Sequence, residues 1–379
     1  MISKFLRNFG TLAISDAISG AIGSIFWLYL ASFLAVSNYG ELQLLIGIAG
    51  VALGFSMFAN NHTIIVYEVK ERGLRGTLFL LSLIIATVVS IVSYLLISRL
   101  DVILLTFGMI CGELLLGYFV GKKLFSKYGI FLVSQKVLMI SLSLGLYFLI
   151  GVDGIIYGIG FSYIPSMILS FTFLKNSPFN FLILKENFGF IFNNYIVRLF
   201  TILRRNLDKI LIVPILGLEI LGEFALAFQV YLVMNLFASI SFKFLLVDDS
   251  AGRNSNKFKI IILLISTTIS IIGIILGPKI IPIFFPQFVN SVEIIPILSL
   301  AVIPNTIILI FSSKFLGNEK SRFVVTGTVV YAFSYLLLVV LLGSEYGLLG
   351  ISMGFLSSSI IYMIYLLIMY IIQQKNSNN

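Results

Sequence analysis

Cysteine and histidine each occur once in this chain of 379 residues, as Cys111 and His62. A lone cysteine inside an apolar run rules out a disulfide framework and a thiolate metal site, and one histidine is too little for a metal cluster. No metal and no cofactor are therefore expected. Charge is scarce as well: 11% of residues are charged, where an ordinary soluble domain carries about a quarter. No polar stretch is long enough for a separate soluble domain. The apolar runs do not alternate at period two, which excludes a transmembrane β-barrel.

What the chain holds instead is apolar residue, 59% of the total, with a mean hydropathy of +1.09. Twelve runs of membrane-spanning length follow one another: 12–34, 42–66, 77–97, 102–120, 130–150, 155–174, 188–213, 224–247, 260–276, 292–315, 323–342 and 349–372. The first is too long for a signal-peptide core and lacks a small-residue cleavage site, so it reads as an uncleaved span. Of the 25 basic residues, seventeen lie on one side, sixteen in its loops and termini and Lys314 at the adjoining end of span ten, while the opposite loops hold only Arg99 and Lys279. That asymmetry puts both termini in the cytoplasm of a multi-pass protein of the cytoplasmic (inner) membrane. The formal charge of +9 is mostly this topology signal, so nucleic acid is not an expected partner.

The chain also repeats. Phe33 to Glu41 joins spans one and two, Ile215 to Glu223 joins spans seven and eight, and both end in Gly-Glu at a constant offset of 182. Six spans in each half, both starting on the cytoplasmic side, make a parallel repeat about an axis along the membrane normal. The expected domains are an N-terminal six-helix bundle at 1–174, a cytoplasmic linker at 175–187 containing Pro178, and a C-terminal six-helix bundle at 188–379.

Span seven carries the most unusual chemistry. With Arg198 at zero and 100° per residue, Asn194, Thr201, Arg205, Asp208 and Lys209 fall within about 100° of arc, with Arg204 just outside it. Each charge at the bilayer centre costs roughly 2.5–3.5 kcal/mol on insertion scales, so a lipid-facing stripe is hard to sustain. The stripe predicts a wet or protein-walled cationic cavity, and hence an anionic substrate. Arg198 and Arg205 would offer planar forks to phosphate or acidic sugar oxygens, and Asn194 and Thr201 hydrogen bonds to sugars. The plainer reading pairs Arg204 or Arg205 with Asp208 along the helix.

The run Arg204-Arg205-Asn206-Leu207-Asp208-Lys209-Ile210-Leu211-Ile212, then Leu221-Gly222-Glu223-Phe224-Ala225-Leu226-Ala227, resembles span seven and its sequel in the polysaccharide (oligosaccharide-lipid) flippases of the multidrug/oligosaccharidyl-lipid/polysaccharide exporter superfamily. Tyr346-Gly347-Leu348-Leu349-Gly350-Ile351-Ser352 is similar to that family's approach to span twelve. The resemblance implies an all-α membrane protein, with twelve helices in two pseudo-symmetric six-helix bundles, V-shaped and working by alternating access. It implies a monomer that moves an anionic polyprenyl-pyrophosphate-linked oligosaccharide and performs no covalent chemistry.

Other in-span charges admit two readings each. Asp16 either binds a coupling Na⁺ or proton, or is a first-turn carboxylate favoured by the helix N-terminus. Glu113 in span four and Lys136 in span five lie at similar depth on antiparallel neighbours, which predicts a buried structural pair; the alternative makes Glu113 a cation-coupling carboxylate. Asn60, Asn61 and His62 sit near the inner end of span two, where His62 either titrates near neutral pH or is only hydrogen-bonded. Pro165, Pro296 and Pro304 interrupt spans six and ten, and bend them.

Three functions compete at this point: the flippase, a cation-coupled drug or metabolite antiporter of the same superfamily, and a membrane glycosyltransferase or polymerase. The antiporter predicts an acidic cavity. The enzyme predicts catalytic side chains on sizeable outward loops, yet the longest, 277–291, has no acidic residue.

Overall fold

A computed structural model describes residues 2–58, 61–70, 73–175, 177–253, 255–318 and 320–378; side chains are described for all of these except 2–9, 197, 204 and 376–378. Every regular element among them is helical: α1 Ile2–Ala31, α2 Val36–Ser56, α3 Asn61–Val69, α4 Arg75–Ile97, α5 Leu100–Gly121, α6 Phe125–Ile150, α7 Asp153–Phe161, α8 Ile164–Lys175, α9 Phe181–Glu186, α10 Phe188–Ser250, α11 Asn256–Phe284, α12 Ser291–Leu300, α13 Val302–Gly317 and α14 Ser321–Asn378.

Two of these helices are double. At about 1.5 Å per residue, the 63 residues of α10 would run straight for roughly three hydrocarbon cores. It breaks instead at Gly217 (φ 89°, ψ 175°), and α14 breaks at Gly347 (φ 58°, ψ −130°). Both conformations are essentially closed to residues with a Cβ. Divided at these glycines, and with α2–α3, α7–α8 and α12–α13 each counted as one crossing, the described residues make twelve passes. The chain is a multi-pass helical membrane protein. Passes six and ten are interrupted just ahead of their prolines: Pro165 is the second residue of α8, and Pro304 the third of α13, first-turn positions where a missing N–H costs nothing. Pro296 lies inside α12.

By packing, the chain divides into two compact units, residues 1–22 with 45–207, and residues 23–44 with 208–379. They differ from bundles cut at 174 and 188 in two segments: 188–207 joins the first unit, and 23–44 the second. Local sequence explains each. In the first unit, Gly50 and Gly54 are spaced as in the small-xxx-small pattern that lets membrane helices approach closely. A Cβ on Gly50 would lie 2.5 Å from Asn206 Cγ, and one on Gly54 3.1 Å from Ile202 Cγ2. Ile191 and Ile202 of α10 are accordingly buried with Leu53, Met57, Leu78 and Leu114 in that unit's core.

In the second unit the Gly-Glu repeat becomes a reciprocal contact. A Cβ on Gly40 would strike the Leu218 carbonyl, and one on Gly222 would strike the Val36 carbonyl; 36 and 40 map onto 218 and 222 by the same offset of 182. Tyr39 adds edge-to-face packing on Trp27 (6.0 Å) and Phe288 (5.6 Å). Glu223 accepts a bond from the Ser291 N–H (2.9 Å) at the start of α12, where a carboxylate meets the positive helix end.

The segment 175–187 is fastened to the first unit. Arg75 Nε donates to Ser177 Oγ (2.8 Å), Asn180 N–H donates to Thr77 Oγ1 (2.7 Å), and the Arg75 guanidinium lies over the Tyr118 and Phe173 rings. Arg99, between α4 and α5, is paired with Asp101 (2.7 Å) and Asp153 (2.6 Å). Its hydrogen bond to Asp101 raises its affinity for the proton above the ordinary arginine value.

Candidate functional site

The charged stripe of α10 runs through both compact units. Arg198 belongs to the first unit, where its Nη2 donates to Glu113 Oε2 of α5 at 3.0 Å; the two side chains are 18% and 27% exposed. Its Nε–H is buried and lacks a partner, so the pair leaves part of the guanidinium fork unused. His62 lies within electrostatic reach of both Arg198 and Glu113.

Glu113 also lines a cavity of about 140 Å³ inside this unit, together with Lys136, Gln135 and Tyr163. A small residue shapes its wall: Gly112, which faces the Tyr163 ring. Gln135 donates to Ser162 Oγ (2.9 Å), which fixes its amide beside the cavity. The expected Glu113–Lys136 pair does not form, because Arg198 has taken the carboxylate. Among the described residues, the hydrogen-bond partner of Lys136 Nζ is Met139 Sδ at 3.9 Å, a weak acceptor. On the same unit, Asp16 of α1 accepts a bond from Tyr128 Oη of α6 (2.5 Å). That tie between helices is a partner the first-turn reading of Asp16 had not supplied.

Asp208 and Lys209 lie in the second unit. Asp208 is 5% exposed and accepts from the Lys209 N–H (2.8 Å) and from Tyr335 Oη (3.4 Å). Lys209 Nζ donates to Gln43 Oε1 (2.9 Å). Tyr331 stacks on Tyr335 (5.7 Å between centroids), and Phe355 meets both edge-on. Asp208 is thus held by its own unit, which argues for a structural role where a substrate-binding one was expected. Asn194 returns its amide to the Phe190 carbonyl (2.9 Å), Thr201 is half-buried and Arg205 exposed. The Arg204 side chain and all of Asn60 lie outside the described residues.

Tyr335, Gln43 and Tyr163 were missed in the sequence. The spacing of Tyr331 and Tyr335, one helical turn apart, was a usable signal. Gln43 had none, since its partner lies 166 positions away.

No protein-family model matches this sequence, and no curated protein sequence matches it. Solved structures do. The chain shares the all-helical fold of solved transporters of the multidrug/oligosaccharidyl-lipid/polysaccharide exporter superfamily, which is the fold the resemblance implied. The lipid II flippase MurJ in its inward closed conformation aligns with a TM-score of 0.72 at 14% identity, covering 95% of this chain and 87% of that one. An inward-facing multidrug resistance MATE family transporter aligns at 0.69 and 14% identity, covering 97% and 96%. A superfamily transporter from Pyrococcus furiosus Vc1, described as having a binding pocket of reversed polarity, aligns at 0.64 and 12%, covering 98% and 96%.

Proposed function

We propose that the protein is a flippase of the cytoplasmic membrane. It translocates a polyprenyl-pyrophosphate-linked oligosaccharide by alternating access of two six-helix bundles, residues 1–174 and 188–379, with both termini in the cytoplasm. The observation that carries this reading is Arg198: a guanidinium within a membrane pass, not sealed from its surroundings, with a buried Nε–H left unsatisfied. Phosphate oxygens match that fork in charge and geometry, and would satisfy both nitrogens at once. The fold shared with a lipid II flippase supports a glycolipid of this kind. The headgroup and sugars would pass through the protein while the polyprenyl tail stays in the bilayer, so positioning and charge compensation suffice and no bond is broken. The driving force is the membrane potential or a coupled Na⁺ or proton, and the protein acts as a monomer.

A second reading, a cation-coupled antiporter, is favoured by one observation. Asp16 and Glu113, both carboxylates in membrane passes, lie in the same unit, and the MATE transporters share the fold.

Translocation of a fluorescent lipid-linked oligosaccharide in proteoliposomes separates the two. Wild-type movement that disappears in Arg198→Ala supports the flippase. Equal movement in both proteins keeps a flippase and removes Arg198 from its site. No movement under a membrane potential with Na⁺ and proton gradients, together with export of an organic cation, establishes the antiporter instead.

A further inference from the structure

We propose that Glu113 is an exchangeable counter-ion, which holds Arg198 in the absence of substrate and passes to Lys136 when a phosphate oxygen takes its place. The inference rests on the flippase reading and adds how its site is switched.

The resting pair is accessible: Arg198 and Glu113 meet at 3.0 Å with both side chains partly exposed. Glu113 and Lys136 line one cavity of about 140 Å³, room for several waters at roughly 30 Å³ each and for a carboxylate to swing. Among the described residues, the hydrogen-bond partner of the Lys136 ammonium is a thioether. An ammonium within a membrane pass is unfavourable without a counter-charge, so a carboxylate arriving at Lys136 relieves an existing cost.

The exchange also removes an obstacle to binding. A phosphate on Arg198 would otherwise leave Glu113 unpaired within a membrane pass beside a second negative charge, which is unfavourable. With Lys136 as receiver, phosphate pairs with Arg198 and Glu113 with Lys136, so each anion keeps one cation. The lysine is a positioning residue for Glu113 and need not touch the substrate.

The test uses farnesyl pyrophosphate as a short polyprenyl-pyrophosphate probe, titrated calorimetrically into the purified full chain. Lys136→Met weakens binding tenfold or more, because the displaced carboxylate has nowhere to go. Adding Glu113→Gln to that variant restores wild-type affinity or better, because nothing is displaced, and Lys136→Arg behaves as wild type. A double variant as weak as Lys136→Met overturns the exchange and makes Lys136 a direct phosphate ligand. Unchanged binding in Lys136→Met overturns it while leaving the flippase reading in place. No binding by the wild type removes both. Lys136→Gln replaces the methionine variant if thermal unfolding shows the latter misfolded.

Discussion

Arg198 and Asp208 sit ten positions apart on α10, and their surroundings differ in kind. Arg198 faces a carboxylate across a partly open gap beside a cavity. Asp208 is closed in, with a tyrosine hydroxyl and a backbone N–H as donors and an aromatic cluster behind the tyrosine. An open ion pair can trade partners when a second counter-charge stands within reach. A closed-in carboxylate held by neutral donors cannot, because losing them leaves an uncompensated group in low dielectric. The contrast separates the charges on this helix that are free to work from those that hold it in place.

The contrast is broken most forcefully at Asp208. Asp208→Ala strands the Tyr335 hydroxyl and the Lys209 N–H that the carboxylate accepts, and is expected to cost about 1.5–3 kcal/mol. Thermal unfolding of the purified protein reads this; an unchanged midpoint would mean that Asp208 is not closed in. Next come the backbone contacts of the second unit. Gly222→Val forces a side chain onto the Val36 carbonyl, an overpacking worth about 1–3 kcal/mol, and the same assay shows it. Gly217→Ala is expected to cost a similar ~1–3 kcal/mol, because its backbone conformation excludes a Cβ; a wild-type midpoint would remove the sharp break from α10.

Smaller effects sharpen the comparison. Tyr335→Phe deletes one hydrogen bond to Asp208 and is expected to cost about 1 kcal/mol. Arg198→Ala is expected to shift stability by about 1 kcal/mol or less, since Glu113 keeps access to the cavity, and yet to abolish translocation with protein level intact. A large loss of stability in Arg198→Ala would assign that arginine to the structural set with Asp208.

The membrane passes were legible in the sequence because hydropathy is a local property, summed over about twenty residues. The repeat was legible for a related reason. Gly40-Glu41 and Gly222-Glu223 keep their spacing because a reciprocal contact tolerates no Cβ at either glycine. The stripe on span seven was also visible, since helical periodicity sets which residues share a face. Which neighbour each of its side chains meets was not. A helix of this length spans two packing environments, and Gly50 and Gly54 draw its first part into one of them.

The pairing of Glu113 shows the limit most plainly. Its depth matched Lys136 on the adjacent helix, and that neighbour was the natural partner to expect from the chain alone. The carboxylate instead meets Arg198, 85 positions away. The sequence by itself determined the twelve passes and the presence of in-span charge, because each depends on residues close along the chain. Which charge is closed in, which stays open and which lysine is left with a thioether were decided by the tertiary structure. Those outcomes depend on helices brought together from distant positions, and on glycines that set how closely they approach.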